Sequence, residues 1–171
     1  MSWIDDLTAA WKREYPDRDI STLPPMVRLA RLTILLRAFQ DEVLEPFDLL
    51  WADYGVLAAL RRAGKPHRLS PGELTNELHR SSGGMTKIVD RLEERGYVRR
   101  FPDPADRRGT LVGLTRRGLA LQDEVFHSFL DAADDVMAPL GSRALRRADD
   151  GLAQLLEAFE HWWGDRDEGA S

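Results

Sequence analysis

The chain has 171 residues, of which 43 % are hydrophobic and 31 % are charged, as in an ordinary globular protein. It contains no cysteine, which excludes disulfide bonds, thiolate catalysis, cysteine-based zinc sites and thiol redox sensing. No stretch approaches the run of about 18 apolar residues that a membrane span requires, and the acidic first segment lacks the features of a signal peptide. We therefore expect a cytoplasmic protein, one domain with helical extensions and without membrane contact.

Charge is unevenly distributed along the chain. The net charge of −5 divides into −2 for residues 1–79, +5 for residues 80–118 and −8 for residues 119–171. An average that is acidic therefore hides one short basic segment. Residues 80–118 are where the sequence predicts the functional surface.

Helical periodicity predicts three helices before the basic segment. The first, through Trp3, Leu7 and Trp11, ends at Tyr15-Pro16 because proline ends helices. Residues 17–23 form a loop, and a long second helix starts at Pro24-Pro25 and ends near residue 45. A third helix covers residues 51–63 and is closed by a glycine followed by a proline. The apolar stripe of the second helix consists of Leu29, Leu32, Leu36, Phe39 and Val43.

A helix-turn-helix is predicted next. Ser70 and Glu73 have the spacing of a capping box, and Pro71 fits the first helical position, so a helix begins there. It runs to about residue 79, because residues 81–84 start a second helix that Gly96 ends. Two helices joined by a tight turn, the second with a polar face, form a helix-turn-helix. The apolar positions of its second helix are Met85, Ile88, Val89 and Leu92.

A β-hairpin is predicted directly after the helix-turn-helix. Residues 97–101 and 110–114 are β-prone, and the loop between them is longer than a minimal hairpin turn. Arg107 and Arg108 lie at its tip, where Asp103 or Asp106 can orient one of them through a bidentate pair. A hairpin with a basic tip at this place in the chain is the wing of a winged helix.

The second helix of the helix-turn-helix offers a polar face to a DNA major groove. The side chains expected to reach phosphates and base edges are Ser82, Thr86, Lys87 and Arg91. Gly83 and Gly84 let the backbone approach DNA, and the free amides of the first turn suit a phosphate. The arginines of the wing tip suit a narrow minor groove. The competing interpretation is a solvated helix face and a solubilising loop, but both features fall in the one basic segment.

Three motifs match one known pattern. They are Ser70-Pro71-Gly72-Glu73-Leu74, the run from Gly83-Gly84-Met85-Thr86-Lys87 through Asp90-Arg91-Leu92-Glu93 to Gly96-Tyr97-Val98-Arg99-Arg100, and the wing sequence Asp103-Pro104-Ala105-Asp106-Arg107-Arg108-Gly109. They resemble the MarR family of winged-helix transcription regulators over residues 26–163. The resemblance implies a mainly α protein with a small β-hairpin wing, a winged helix-turn-helix with long terminal dimerisation helices. It also implies a homodimer on pseudo-palindromic double-stranded DNA, usually a repressor until a small molecule binds.

The apolar stripes at both ends of the chain also predict a dimer. They exceed what a winged-helix core of about 90 residues can cover, so they would be association sites. The predicted dimerisation residues are Leu29, Leu32, Leu36, Leu152, Leu155, Phe159 and Trp162. The predicted organisation is an N-terminal extension (1–23), a dimerisation helix (24–48), a DNA-binding lobe (49–118), C-terminal dimerisation helices (119–164) and a disordered tail (165–171).

The segment around Trp11 resembles the N-terminal extension of the urate-responsive branch of the same family. That branch uses a tryptophan, an aspartate and two arginines; Trp11 and Arg100 match two of them, whereas Gly55 and Ile88 occupy the other two positions. We therefore expect a small aromatic or apolar effector rather than urate. The expected lining is Trp11, Trp51, Tyr54 and Arg100. Two alternatives stay open: that the tryptophans only pack, and that the first helix packs on the partner subunit.

Other classes of function are disfavoured. The sequence has no phosphate-binding loop, no G-x-S-x-G elbow and no H-E-x-x-H motif, so we expect neither an enzyme nor a cofactor. Four histidines lie on different elements without metal-ligand spacing: His67, His79, His127 and His161. A winged-helix module that binds another protein and no DNA remains the alternative, because the whole chain is acidic.

Overall fold

The computed structural model describes residues 3–106 and 108–168, and its fold is mainly helical with a small antiparallel sheet, as predicted. The elements in chain order are α1 (Trp3–Glu14), α2 (Leu23–Leu44), a 3₁₀ turn (Glu45–Phe47), α3 (Trp51–Arg62), β1 (Arg68–Leu69), α4 (Pro71–Glu77), α5 (Ser82–Glu94), β2 (Val98–Pro102), β3 (Thr110–Leu114), α6 (Arg116–Met137) and α7 (Ser142–Glu168). Among the described residues, no helix has both the length and the apolar character needed to cross a membrane.

The chain divides into two compact units between Phe126 and His127. The first unit holds α1 to α5, the sheet and the first half of α6. The second holds the remainder of α6 and α7.

Glycines and prolines set the helix ends where the sequence predicted them. Two prolines occupy the first turn of α2, where a missing amide hydrogen removes no helical hydrogen bond. Gly64 and Gly96 follow α3 and α5 with φ of +73° and +74°, a left-handed conformation that favours glycine. The lengths of α3 and α5 are therefore fixed by local sequence.

The core of the first unit lies between α3, α4, α5 and the sheet. The apolar face predicted for α5 is buried there, and each such side chain contributes about 1.5–3 kcal/mol through burial. This packing fixes which face of α5 is left for solvent. The fully buried side chains include Leu44, Val56, Leu57, Leu60, Leu74, Met85, Val89, Leu92, Val98, Val112 and Val125.

The sheet has the strand order β1-β3-β2, and all of its pairs are antiparallel. β2 and β3 form the predicted hairpin, in which Val98 pairs with Leu114 and Phe101 pairs with Leu111. The two-residue β1 was not predicted, because so short a strand has no detectable alternation. Gly113 of the central strand β3 pairs with Arg68 of β1 and with Arg99 of β2. A Cβ on Gly113 would lie 2.7 Å from Cγ of Arg68, so a larger residue does not fit without a shift.

The junction between β3 and α6 is tightly packed. The Thr115 hydroxyl donates a hydrogen bond to the Gly96 carbonyl (2.7 Å) and accepts one from the Gly118 amide (3.0 Å). A Cβ on Gly118 would stand 1.9 Å from the Tyr97 carbonyl oxygen. Glycine at this position lets α6 start directly against the base of the wing.

Helix α7 ends at Glu168, within the segment predicted as a disordered tail (165–171). The disorder of that segment stays a prediction. The rest of the predicted tail, residues 169–171, lies outside the described residues.

Candidate nucleic-acid interface

The helix-turn-helix consists of α4 and α5, and serine side chains cap both helices. Ser70 Oγ accepts a hydrogen bond from the Glu73 amide (3.2 Å), and the Glu73 carboxylate accepts one from the Ser70 amide (2.7 Å), as the capping box predicts. The Ser70 hydroxyl also donates a hydrogen bond to the Glu73 carboxylate (2.8 Å), and the bonds from the Ser70 amide and then the hydroxyl lower the pKa of Glu73. Ser81 caps α5 in the same way, with Oγ 3.3 Å from the Gly84 amide nitrogen. Local sequence therefore sets where the recognition helix begins.

The N-terminal half of α5 presents most of the predicted contact residues to solvent. Ser82, Gly83, Thr86 and Lys87 are exposed, and Gly84 is half-buried. The Thr86 hydroxyl donates to the Ser82 carbonyl (3.0 Å), which orients it along the helix. A Cβ on Gly83 would meet nothing within 4 Å, so the fold itself does not require glycine there.

Arg91 is placed differently from the prediction. Its guanidinium is bound to Asp53 of α3, with Nε 3.1 Å and 3.3 Å from the two carboxylate oxygens and Nη2 in direct contact with Oδ1. The Asp53 carboxylate is buried and also accepts a hydrogen bond from the Leu50 amide (3.0 Å). Because a buried carboxylate needs a partner, the Arg91 guanidinium ties α5 to α3, and its contact with DNA stays a prediction. The sequence shows no signal for this pair, since its members are 38 residues apart.

Two further arginines near the C-terminal end of α5, Arg95 and Arg100, also bind acidic residues. Arg95 contacts the Asp48 carbonyl and lies 3.3 Å from the Asp48 carboxylate. Arg100 of β2 reaches back to α5, where Nη2 lies 2.6 Å from Asp90 and Nη1 contacts Glu93. These hydrogen bonds, first of all the one to Asp90, raise the pKa of the Arg100 guanidinium. Free positive charge is therefore left at the N-terminal end of α5, not along its whole length.

The wing loop is held by aspartates that bind the backbone. Asp103 accepts a hydrogen bond from the Ala105 amide and Asp106 accepts one from the Arg108 amide, both at 2.9 Å. These hydrogen bonds form turns that shape the loop, and the bidentate pair between an aspartate and an arginine of the tip stays a prediction. Arg108 is exposed at the tip, and Arg107 lies outside the described residues.

A single chain does not bring the four predicted effector residues together. Tyr54 is a core residue whose ring lies 5.4 Å from that of Trp51, and burial raises the pKa of its hydroxyl. Arg100 is occupied by the acidic residues of α5. Trp11 stacks on Tyr15 (5.7 Å between ring centroids) and lines a cavity of about 440 Å³, to which none of the other three contributes. The remaining residues around this cavity are Tyr15, Arg18, Asp19, Ile20, Thr22, Leu23 and Met26.

Within the part of the chain that the structure describes, no group of three or more histidine, aspartate or glutamate side chains could hold a metal ion.

Comparison with known proteins agrees with this geometry. The MarR family model matches residues 47–109, which contain α3, the helix-turn-helix and the start of the wing hairpin up to its loop. The HTH-type transcriptional regulator PecS of Dickeya dadantii is 32 % identical over 136 residues, 80 % of this chain and 82 % of PecS. The multiple antibiotic resistance protein MarR of Escherichia coli is 35 % identical over 103 residues, 58 % of this chain and 69 % of MarR.

Solved structures share the fold. A mutant of E. coli MarR in complex with operator DNA superposes with a TM-score of 0.67 at 28 % sequence identity, covering 81 % of this chain and 99 % of that one. The name of PecS describes a regulator of transcription, and neither its name nor that of MarR describes an enzyme. The chain therefore belongs to the MarR family of winged-helix transcription regulators.

Proposed function

We propose that the protein is a homodimeric, ligand-responsive repressor that binds a pseudo-palindromic operator in the cytoplasm. One observation supports the proposal that the protein binds DNA. The arginines toward the C-terminal end of α5 are paired with acidic residues, whereas the N-terminal face of α5 and Arg108 of the wing tip stay exposed. Positive charge is therefore concentrated where a recognition helix and a wing meet DNA. The E. coli relative crystallised on its operator supports this interpretation.

Each exposed residue has a proposed role. Thr86 and Lys87 face the major groove, and Ser82 with the backbone of Gly83 and Gly84 binds a phosphate at the start of α5. Arg108, with Arg107 beside it in sequence, enters the minor groove. Arg91, Asp53 and Arg100 act as positioning residues that hold α5 against α3 and the wing.

Exposed apolar side chains on α2 and α7 support the homodimer. Leu32 and Leu36 are 51 % and 52 % exposed in the single chain, and Leu152 and Trp162 are 49 % and 48 % exposed. Leu29, Leu155 and Phe159 of the same two helices are half-buried. Exposed apolar faces such as these, one on each unit, are association sites. Two-fold pairing would place the two recognition helices about 34–36 Å apart, one turn of DNA.

The effector part rests on the cavity beside Trp11. Its volume of about 440 Å³ lies within the usual range for small-molecule pockets, and its lining is mostly aromatic and apolar, which suits a small aromatic compound. Repression is relieved only if that compound binds the DNA-free arrangement more tightly than the bound one. Titration with a panel of planar aromatic acids tests this: quenching of tryptophan fluorescence that is absent in Trp11→Phe, together with release of DNA, is expected. Quenching without release refutes the regulatory role.

Hydroxyl-radical footprinting on the DNA upstream of the protein's own gene tests the binding mode. The proposal predicts two protected backbone segments about one helical turn apart, where the recognition helices lie in the major groove. The Arg108→Ala variant should lose the flanking minor-groove protection and remain a dimer by analytical ultracentrifugation. Loss of the dimer would instead contradict the wing assignment. A winged-helix module that binds only proteins is not favoured, and it would leave no footprint.

A further inference from the structure

The sheet carries a basic surface on the side that faces away from α5. Arg68 of β1 and Arg99 of β2 both pair with Gly113, so the two arginines flank one glycine across the sheet. The ring of Phe101 lies over the same glycine: a Cβ on Gly113 would come within 2.8 Å of Phe101 Cε2. We call Arg68, Arg99, Phe101 and Gly113 the arginine ledge.

The orientation of the ledge follows from the alternation of β2. Arg100 points toward α5, where it binds Asp90 and Glu93. Successive side chains of a strand point to opposite faces, so Arg99 and Phe101 lie on the other face. Arg68 lies on the same face, because its Cγ would be 2.7 Å from a Cβ atom placed on Gly113.

Both guanidinium groups of the ledge stack on one ring. The Cζ atoms of Arg68 and Arg99 lie 3.5 Å and 4.3 Å from the centroid of Phe101. Two positive charges so close to one ring repel each other unless an anion is near. Among the described residues, no carboxylate lies within ion-pair distance of either group, in contrast to Arg91, Arg95 and Arg100.

We propose that the arginine ledge binds the phosphate backbone of DNA beside the groove that the wing tip enters. This inference rests on the proposed DNA-binding function. Arg99 precedes the wing loop by four residues of extended strand, about 13 Å, which exceeds the width of the minor groove. The ledge therefore reaches the backbone next to the groove and not the base edges. Its contribution to affinity is the same for every DNA sequence.

The test is the salt dependence of binding to a random-sequence duplex of about 40 base pairs, followed by fluorescence anisotropy. Each lost phosphate contact lowers the slope of log K against log salt by about 0.9, so Arg68→Gln/Arg99→Gln should lower it by about 1.8 for each bound subunit. Affinity should fall at least about tenfold at about 0.1 M salt. The conservative variant Arg68→Lys/Arg99→Lys keeps both charges and should retain the slope.

Arg143→Gln/Arg146→Gln is the matched control, because it removes two exposed arginines of α7 and the same net charge. Its slope should stay within about 0.5 of the wild-type value. A ledge variant that melts at a lower temperature but keeps the wild-type slope overturns the inference and leaves the proposed function intact. A wild-type protein that binds neither this duplex nor its upstream DNA overturns both.

Discussion

Replacing Arg91 by Gln should destabilise the fold by about 2–3 kcal/mol. The Asp53 side chain is only 1 % exposed. After the substitution, the Leu50 amide is the hydrogen-bond donor that remains to its carboxylate among the described residues. Breaking a fully buried ion pair costs about 3–5 kcal/mol. Here the Arg91 side chain is 39 % exposed, so water screens its end of the pair and the expected loss is smaller.

Urea unfolding at one fixed protein concentration measures this loss, because the stability of a dimer depends on concentration. For a chain of this size, it corresponds to a fall of roughly 4–12 °C in Tm. Arg61→Gln is the matched control: it breaks an exposed pair with Asp123, whose side chains are 43 % and 46 % exposed, and should cost less than about 1 kcal/mol.

A double-mutant cycle isolates the interaction energy between Arg91 and Asp53 from the other effects of each substitution. Asp53→Asn combined with Arg91→Gln should cost less than the sum of the single variants, with a coupling of about 1–3 kcal/mol. Equal losses for Arg91→Gln and Arg61→Gln, or strictly additive losses in the cycle, would refute a buried pair that positions the recognition helix.

Four further substitutions, the last with a matched control, test the helix-turn-helix and the packing that supports it. Gly83→Ala should leave the melting temperature unchanged or slightly higher, since nothing in the fold lies within 4 Å of the new methyl group. It should nevertheless weaken binding of the upstream DNA in anisotropy titrations. Undiminished affinity would contradict a close approach of the α5 backbone to DNA. Lys87→Ala should lower the salt slope by about one for all sequences if Lys87 binds only phosphate, whereas a change of sequence preference in competition assays would show base reading. Ser70→Ala should cost about 1 kcal/mol in urea unfolding at about pH 7. The Ser70 amide and, second, the Ser70 hydroxyl lower the pKa of Glu73, so the stability from these bonds is present above the unfolded pKa of the carboxyl and is lost as pH falls through the folded one. The variant keeps the amide bond and loses the hydroxyl bond, so its difference from wild type should shrink as pH falls through that range; an undiminished difference would show that the hydroxyl bond to the carboxylate is not involved. Gly118→Ala should lower the free energy of unfolding by about 3 kcal/mol or more, because its Cβ would overlap the Tyr97 carbonyl. The control Gly151→Ala has open space around it in α7 and should be neutral or stabilising by up to about 1 kcal/mol. Similar melting temperatures for the two variants would contradict the packing at the base of the wing.

Features that depend on local sequence could be predicted. The capping box at Ser70 and the glycines that follow α3 and α5 act within a few residues, so their patterns fix the helix ends. The apolar spacing of α5 fixed its buried face for the same reason. These features together position the recognition helix, which is why most of the predicted DNA-facing residues of α5 are exposed.

Features that depend on distant partners could not be predicted. Arg91 lies on the polar side of α5 by periodicity, but the burial of Asp53 on α3 decides where its guanidinium goes. Arg100 follows the alternation of β2, yet its role depends on the distance between β2 and α5. A charged residue near a functional surface cannot be assigned to that surface until its possible ion-pair partners are located.

Anisotropy titration at two salt concentrations tests most directly whether this chain is a sequence-specific DNA-binding regulator. One labelled duplex carries the DNA upstream of the protein's own gene, and the other has the same composition in scrambled order. We expect tighter binding to the upstream duplex and a steep loss of affinity at the higher salt concentration. Absence of binding to either duplex at low salt, or equal affinity for both duplexes, would contradict this function.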